Sequence, residues 1–333
     1  MKTISTVGEK AFIRDFIKPY FNANDDPAGV GDDCAMVAFG DQVALLSTDR
    51  VPSDLTAFRL KILDFNGLGD YLARLNLSDI AACGGTPVGL LLNLGLPNDT
   101  PYEEVRSLCH GFGECAKRHG TPVLGGDMTS ASELSVSATS IGRAPRDRVL
   151  SRRGARPGDS IFISRPIGLT PAAFLVFLGK LENQFSQDSL QLLRRQFTRM
   201  EPMLSLGRAL ADSGICGACM DNTDGVGQSL SELGEASKCA FVIRRSALQI
   251  PPLVTAVSAK AGKPPLEIIF NGGADFSLVG TIRGSWTSEQ ASRHVGHALE
   301  IIGYVESGQG LWLEAERRKP LVFRGWNYFD AQI

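Results

Sequence analysis

Six aspartates of this sequence occur where an ordinary solvated carboxylate is not expected. Each follows or interrupts an apolar or glycine-rich segment, and the six are Asp33, Asp49, Asp79, Asp127, Asp221 and Asp224. Carboxylates near apolar segments are tolerated when they are paired or hold cations. Hard oxygen ligands of this kind suit Mg²⁺, which is typically shared with substrate phosphates. Each aspartate alone could equally cap a turn or helix, but the six together favour a metal–phosphate site.

A glycine pair beside one of these aspartates has a second possible role. Gly125-Gly126-Asp127 follows Val123-Leu124, which predicts a short strand. Backbone N–H groups at such glycines can approach phosphate oxygens, and Asp127 is one step away for a metal. The sequence has neither a GxxxxGK[ST] loop nor a GxGxxG motif after a strand, which removes the commonest nucleotide-binding folds. The GxSxG and HExxH hydrolase motifs are also absent.

The stretch from residue 143 to residue 158 is poor in apolar residues and rich in arginine. Its arginines are Arg143, Arg146, Arg148, Arg152, Arg153 and Arg156. They could neutralise phosphate charge or form a solvated linker, and only for Arg152 is phosphate binding favoured. We place a domain boundary here, between residues 148 and 149.

One predicted helix, over residues 68–82, is expected to carry an aspartate into the core. Its apolar positions recur at i, i+4 and i+7, and they are Leu68, Leu72 and Leu75. The next position on that face is Asp79, so its carboxylate points inward. On the opposite face, Asp70 and Arg74 are expected to form an ordinary exposed i,i+4 pair.

Short apolar runs elsewhere predict strands. Residues 43–47 form a buried strand that delivers Ser47-Thr48-Asp49 at its C-terminal end. Further strands are predicted at residues 88–96, 134–138, 160–164, 268–270, 276–282 and 301–305. They come in separated groups with helices between them, which favours an α+β fold over a doubly wound sheet. The expected domains are residues 1–148 and 149–333.

Length and composition exclude several classes of protein. A chain of 333 residues with 43% hydrophobic residues can bury the cores of two domains. Its net charge of −2 provides no basic field for nucleic acid. The apolar runs are too short to span a membrane and the N-terminus has no signal-peptide pattern, so we expect a cytoplasmic protein. Cys216 and Cys219 form a lone CxxC, which favours buried small residues over a metal or redox site.

Eight segments of the sequence resemble one known family in order and spacing. They are GVGDDCAMV (29–37), STD (47–49), LARLNLSDIAACGGTPVGLLLNLGLP (72–97), GGDMT (125–129), RRGARPGD (152–159), MDNTDGV (220–226), GGADFSL (272–278) and GWNYF (325–329). The chain is similar over essentially its whole length to the thiamine-monophosphate kinases. These belong to a superfamily with aminoimidazole ribonucleotide synthetase and selenophosphate synthetase.

The resemblance implies a ferredoxin-like-type N-terminal α+β domain whose strands pair across a homodimer into a barrel, and a C-terminal α+β domain that closes over ATP. It implies Mg²⁺ ligands at Asp33, Ser47, Thr48, Asp49, Asp79, Asp127, Asp221 and Asp224, of which Asp49, Asp79, Asp127 and Asp221 are the expected catalytic residues. It implies ATP contacts at Gly126, Asp127, Arg152 and Thr223, and stacking of the acceptor ring on Trp326. The implied reaction transfers the γ-phosphoryl group of ATP to thiamine monophosphate.

The sequence departs from the family pattern on the acceptor side. Ala274 stands where the family commonly has a glutamate that helps to hold the thiamine end, and the stretch after Asp49 lacks the family's histidine. A site that loses a polar partner can lose discrimination between substrates. These departures leave open an alternative, in which the same ATP scaffold activates a carboxylate or amide oxygen for attack by an amine, as a ligase does.

Overall fold

Two β-sheets organise the part of the chain that the computed structural model describes, which comprises residues 3–21, 31–52 and 54–323. The strands of the first sheet are β1 (Ala35–Phe39), β2 (Gln42–Val51), β3 (Thr86–Leu96), β4 (Val123–Ser130) and β5 (Ser135–Pro145). The strands of the second sheet are β6 (Ser160–Ile163), β7 (Cys216–Asp221), β8 (Ala240–Arg244), β9 (Leu278–Ile282), β10 (Glu300–Glu306), β11 (Leu311–Glu314) and β12 (Arg318–Pro320).

Helices precede, separate and flank these strands. The α-helices are α1 (Ile4–Val7), α2 (Glu9–Phe12), α3 (Lys18–Phe21), α4 (Thr56–Arg59), α5 (Phe65–Ala82), α6 (Tyr102–Arg118), α7 (Leu169–Leu178), α8 (Gln187–Thr198), α9 (Leu204–Ser213), α10 (Val226–Ser237), α11 (Pro252–Ala261), α12 (Pro265–Phe270) and α13 (Ser288–Val295). A π-helical turn, Ile13–Ile17, joins α2 to α3, and 3₁₀ turns lie at Arg146–Arg148, Glu182–Gln184 and Arg245–Ala247. No helix among the described residues is both long and apolar enough to cross a bilayer.

The strand orders show a mixed topology in both halves. The first sheet has the order β1-β2-β5-β3-β4, and its pairs are antiparallel apart from β3 with β4. The second has the order β12-β11-β8-β10-β6-β9-β7, and there β8 and β11 are parallel. The predicted α+β fold is confirmed. The predicted boundary at residues 148/149 falls between β5, the last strand of the first sheet, and β6, the first strand of the second.

Helix α5 lies between the two halves of the chain. It packs on β2, β5 and α6 on the side of the first sheet, and on β7 and α9 on the other side. The predicted helix is confirmed, but it begins earlier, at Phe65, because the Asp64 side chain accepts a hydrogen bond from the Gly67 N–H at 2.8 Å. Since both faces are covered, most of its residues are buried, including Leu68, Leu72 and Ile80.

The predicted i,i+4 pair of Asp70 and Arg74 forms, but the prediction that it is exposed is wrong. The Arg74 side chain is 0% exposed and that of Asp70 is 15% exposed. Arg74 Nε donates to Asp70 at 2.6 Å, and its two terminal nitrogens donate to the backbone carbonyls of Met200 and Phe197 at 2.7 and 3.0 Å. The second domain covers this face of α5, which the helical period alone does not reveal.

Several predicted strands differ from the structure in type or in their bounds. Residues 268–270 form the end of α12 and not a strand, because Pro264-Pro265 begins a helix there. The last turn of this helix is buried, which explains its apolar residues. Strand β2 continues past Ser47 to Val51, and β4 continues past Leu124 to Ser130. The residues 47–49 and 125–127 therefore lie inside strands and not in loops that follow them.

Candidate active site

Three carboxyl groups meet where the two halves of the chain come together. An oxygen of each of Asp33, Asp79 and Asp221 lies within 4.8 Å of the others. Asp33 precedes β1, Asp79 is in the last turn of α5, and Asp221 ends β7. Three carboxylates brought together from distant parts of the chain form a set of hard oxygen donors.

Serine and threonine hydroxyls hold these carboxyl groups in place. Ser47 Oγ donates to Asp79, and Ser78 Oγ donates to Asp221 at 2.6 Å. Thr223 Oγ1 donates to the other oxygen of Asp221 at 3.2 Å. Because Ser78 belongs to α5 and Asp221 to β7, their hydrogen bond joins the two domains at the centre of the site.

Strand β2 presents only some of its predicted ligands to this cluster. Asp49 lies two residues after Ser47 and therefore on the same face, and its carboxylate is among the charges that raise the pKa of Asp79. Its backbone N–H donates to Asn76 Oδ1 at 3.3 Å. Thr48 points the other way, and its hydroxyl donates to the Ala138 carbonyl at 3.0 Å. The structure thus does not bring the Thr48 hydroxyl into the cluster.

Burial and like charge shift the titration of the clustered aspartates in one direction. Burial raises the pKa of Asp79 well above its usual range, and the carboxylates of Asp49, Asp221 and Asp33 raise it further. Burial also raises the pKa of Asp221 to about 8 and that of Asp33 to about 6, although Arg152 lowers the latter. Several buried carboxylates cannot all ionise side by side unless a cation joins them.

The donor set fits a divalent cation. Asp33 Oδ2 is buried and has no hydrogen-bond partner, although Asp33 Oδ1 accepts from Arg152. A buried carboxylate oxygen without a partner is costly, and a metal ion is one way to satisfy it. The donors around it are all oxygens, which is the ligand type that Mg²⁺ prefers.

Arg152 lies beside the carboxylate cluster and is anchored on two sides. Its terminal nitrogens donate to Asp33 and to Glu232, each at 2.7 Å. Its backbone N–H donates to Asp32 at 2.9 Å. Glu232 is not among the residues predicted from the sequence, because an acidic residue in a helix after a glycine-rich loop has no distinguishing local pattern.

Asp224 pairs with a second cation, which also contacts Glu232, the partner of this arginine. Lys10 Nζ lies 2.5 Å from Asp224 and 2.9 Å from Glu232. Lys10 belongs to α2, at the far end of the chain, so no sequence spacing could have indicated it. Of the predicted ATP contacts, Arg152 and Thr223 both border the cluster.

The glycine–aspartate motif lies on an exposed edge strand. In β4, Gly126 pairs with Leu92 and Asp127 with Asn93 of the parallel strand β3. A Cβ atom at Gly126 would lie 1.7 Å from the Leu92 carbonyl oxygen, so only glycine fits there. Asp127 is exposed, and the group of three carboxyl oxygens does not include it.

The two glycine-rich loops of the second domain are joined to each other. The Ala274 N–H donates to the Thr223 carbonyl at 2.6 Å, and a Cβ atom at Gly273 would lie 2.1 Å from that same oxygen. Asn222 donates to the Asp275 carboxylate at 2.9 Å. The loop with Ala274 is thereby held next to the loop that follows Asp221. Trp326, the predicted acceptor contact, lies outside the described residues.

The two cysteines of the CxxC motif are free thiols in β7. In the described part of the chain, no cysteine belongs to a group of three or more ligands that could hold a metal.

Comparison with known proteins identifies the family. The family model "AIR synthase related protein, N-terminal domain" matches residues 31–144. The thiamine-monophosphate kinase of Bacillus subtilis is 30% identical over 310 residues, which cover 90% of this chain and 93% of that protein. The chain belongs to the thiamine-monophosphate kinase family. The predicted enzyme class, a kinase of this type, is confirmed.

Two further comparisons extend over almost the whole chain. The thiamine-monophosphate kinase of Pyrococcus horikoshii is 28% identical over 327 residues, which cover 97% of this chain and 96% of that protein. The solved structure of AaThiL complexed with AMPPCP and TMP matches with a TM-score of 0.82 at 24% identity, covering 98% of this chain and 99% of that one. At this identity, the structural match shows that the two-domain fold of the thiamine-monophosphate kinase family is present here.

Proposed function

We propose that this kinase transfers the γ-phosphoryl group of ATP to thiamine monophosphate and forms thiamine diphosphate, with Mg²⁺ as its metal. The observation that carries the proposal is the cluster of Asp33, Asp79 and Asp221 beside Arg152, at the junction of the two domains. Family membership supplies the acceptor: the relatives bear the name thiamine-monophosphate kinase, and AaThiL was solved with AMPPCP and TMP.

The residues of the cluster have distinct tasks in this proposal. Asp33, Asp79 and Asp221 hold the metal with help from Asp49 and Ser47. Asp127 and Asp224 remain predicted ligands outside this cluster, and the Thr48 hydroxyl, which faces away, is not one of them. Bound Mg²⁺ supplies charge neutralisation for the phosphoryl group in transfer. Arg152 adds a fixed positive charge for the ATP phosphates. The Thr223 hydroxyl and the backbone N–H at Gly126 add hydrogen-bond donors for the same phosphates.

The acceptor side needs positioning and no strong base. A phosphate monoester is already ionised near pH 7, so its oxygen can attack without losing a proton to the enzyme. No histidine takes part in the described carboxylate cluster, which agrees with such a reaction. Trp326 is the proposed stacking contact for the acceptor. Ala274 lies in the loop held against Thr223, close to where the acceptor would meet the ATP phosphates.

The test is an ATP-consumption assay with Mg²⁺, with and without thiamine monophosphate, followed by mass analysis of the product. We expect thiamine diphosphate and ADP in equal amounts. If thiamine monophosphate does not stimulate ATP consumption while Mg²⁺-ATP still binds, the scaffold serves another acceptor. The ligase alternative would then be tested with carboxylates, amides and amines. A cytoplasmic location is part of the proposal, since ATP is available there.

Metal binding is expected to reverse a pH-dependent loss of stability. The pKa values of Asp33 and Asp221 are raised to about 6 and about 8, so the protonated carboxyls contribute stability at low pH that is lost as the pH rises through those values. In EDTA, raising the pH from 6 to 9 should lower the Tm of the wild type by about 5 °C more than it lowers the Tm of Asp221→Asn.

Excess Mg²⁺ should restore the Tm of the wild type at pH 9 and leave that of Asp221→Asn almost unchanged. Asp212→Asn is the control, because Asp212 is an exposed partner of Arg148. A parallel pH dependence of wild type and Asp221→Asn, with no response to Mg²⁺, would exclude a metal site at this cluster.

A homodimer is also part of the proposal. The first sheet exposes large apolar side chains on its strands and at its edges, which are Val37, Phe39, Val88, Leu91, Val123, Leu124 and Met128. Strand β4 is exposed along its whole length. A contiguous exposed apolar surface and a free strand edge favour association with another sheet.

Sedimentation equilibrium should therefore give twice the 35.8 kDa mass of the chain. Leu124→Glu should shift the protein to monomer, because Leu124 is 54% exposed in the edge strand. Leu178→Glu is the matched control: Leu178 is 45% exposed on α7 of the second domain, and its substitution should leave the dimer intact. A wild-type monomer at micromolar concentration would refute this part of the proposal.

A further inference from the structure

Five side chains form a row of alternating charge along one side of the active site. Its order is Asp33, Arg152, Glu232, Lys10 and Asp224, and neighbouring members are 2.7, 2.7, 2.9 and 2.5 Å apart. The row begins and ends at candidate metal ligands from the two domains. Its middle member, Glu232, has no place in the reaction as derived above.

Glu232 is largely withdrawn from solvent and fully engaged. Its side chain is 17% exposed, and its two oxygens accept from Arg152, Lys10 and Gln228. Burial opposes ionisation of Glu232, but Arg152 and Lys10 outweigh burial and lower its pKa. The carboxylate therefore remains charged between two cations, one on each side.

The contact with Glu232 determines how the guanidinium of Arg152 is oriented. One terminal nitrogen of Arg152 donates to Asp33 and the other donates to Glu232, and these two bonds fix the plane of the guanidinium. Arg152 Nε is buried and has no hydrogen-bond partner. A guanidinium anchored at both ends with an unused N–H is ready for an additional oxygen acceptor, and phosphate oxygens are acceptors of this type.

Asp33 cannot provide this anchoring by itself. Its second oxygen lies among the carboxyl groups that would bind the metal, so the position of the Asp33 side chain depends on whether a metal ion is bound. Glu232 is outside that cluster and its anchoring of Arg152 does not depend on the metal. Lys10, in turn, balances the charge of Glu232 and links it to Asp224.

We propose that Glu232 is a positioning residue that orients Arg152 toward the ATP phosphates, and that Lys10 of α2 keeps Glu232 in place. The inference rests on the proposed function, since it assigns Arg152 to ATP. It adds two residues, one from the N-terminal segment and one from the second domain, to the nucleotide side of the site.

The experiment is calorimetric titration of the full-length protein with AMPPCP in the presence of Mg²⁺. Glu232→Gln should weaken binding by about 10-fold or more, which is typical when the partner of a ligand-binding side chain is lost. Lys10→Met should weaken it in the same direction. The double variant should bind about as weakly as Glu232→Gln alone, because Lys10 acts through Glu232. Each variant's Tm in EDTA checks that it is folded.

Two exposed charges provide matched controls. Glu235→Gln changes a carboxylate one turn further along α10, and Arg14→Gln changes an exposed cation one turn beyond Lys10. Both should bind AMPPCP as the wild type does. In turnover assays, Glu232→Gln should raise the KM for ATP more than the KM for thiamine monophosphate, which a general loss of folded enzyme cannot do.

The possible outcomes separate this inference from the proposed function. If the wild type and Glu232→Gln bind AMPPCP equally, or Glu232→Gln binds more tightly, the positioning role is wrong while the kinase proposal stands. If the double variant shows independent, additive losses, Lys10 does not act through Glu232. If the wild type does not bind AMPPCP with Mg²⁺, the proposed function fails, and this inference fails with it.

Discussion

Asp79→Asn is expected to abolish phosphoryl transfer while leaving the metal-free protein as stable as the wild type or more stable. Asparagine has the same shape and can still accept the hydrogen bond from Ser47. It removes one of three carboxylates that lie within 4.8 Å of one another, and with it a ligand and a repulsive charge. We expect kcat to fall by about 1000-fold or more, since transition-state charge neutralisation depends on this cluster.

Asp70→Asn on the same helix is the matched control. Asp70 accepts from the buried Arg74 and from Arg118, so its loss should lower the Tm and leave kcat nearly unchanged. The measurements are product formation at saturating substrates and the Tm in EDTA, with and without Mg²⁺. If Asp79→Asn kept its activity and lost stability instead, Asp79 would be a structural residue of the helix end and not a metal ligand.

Arg74→Met is expected to cause the largest loss of stability of any substitution on α5. Arg74 is fully buried, and it satisfies the carbonyls of Phe197 and Met200 in the second domain. Methionine fills part of the space but leaves both carbonyls without a donor, at a cost of about 1–3 kcal/mol each. The charge of Asp70 remains partly balanced by Arg118 at 2.6 Å. The Tm should fall by about 5 °C or more.

The comparison for Arg74 is an arginine on the neighbouring helix. Arg106 is 69% exposed and forms an i,i+3 pair with Glu103, so Arg106→Met should change the free energy of unfolding by less than about 0.5 kcal/mol. Thermal unfolding of both variants at one pH measures the difference. An unchanged Tm for Arg74→Met would mean that water replaces the guanidinium at the two carbonyls.

The candidate site could be predicted in part, because some of its chemistry is local in the sequence. The apolar period of α5 places Asp79 on an inward face, and in the structure its carboxyl group lies near those of Asp33 and Asp221. Such a grouping was expected because buried carboxylates are tolerated when they share a cation. Thr48 was predicted as a ligand on the same grounds as its neighbours. Its side chain points away because β2 continues through it and alternate residues of a strand face opposite sides.

The prediction of secondary structure was wrong where one local pattern suited two different structures. Three buried apolar residues at 268–270 suit a strand or a helix end equally, and the preceding prolines decide for the helix. Arg74 followed the spacing of an exposed pair, but the second domain covers its face of α5. A helical period indicates which residues share a face and not what that face will contact.

The sequence by itself determined the family, the α+β class and the inward direction of Asp79, because these depend on residue type and short-range spacing. The tertiary structure alone decided which charges meet. Lys10 is 214 residues from Asp224, and Arg152 is 80 residues from Glu232, yet both are ion pairs. Coulomb interactions act through space, and at physiological salt they are screened beyond about 8 Å. The partners of a charged residue therefore follow from packing, which no local pattern contains.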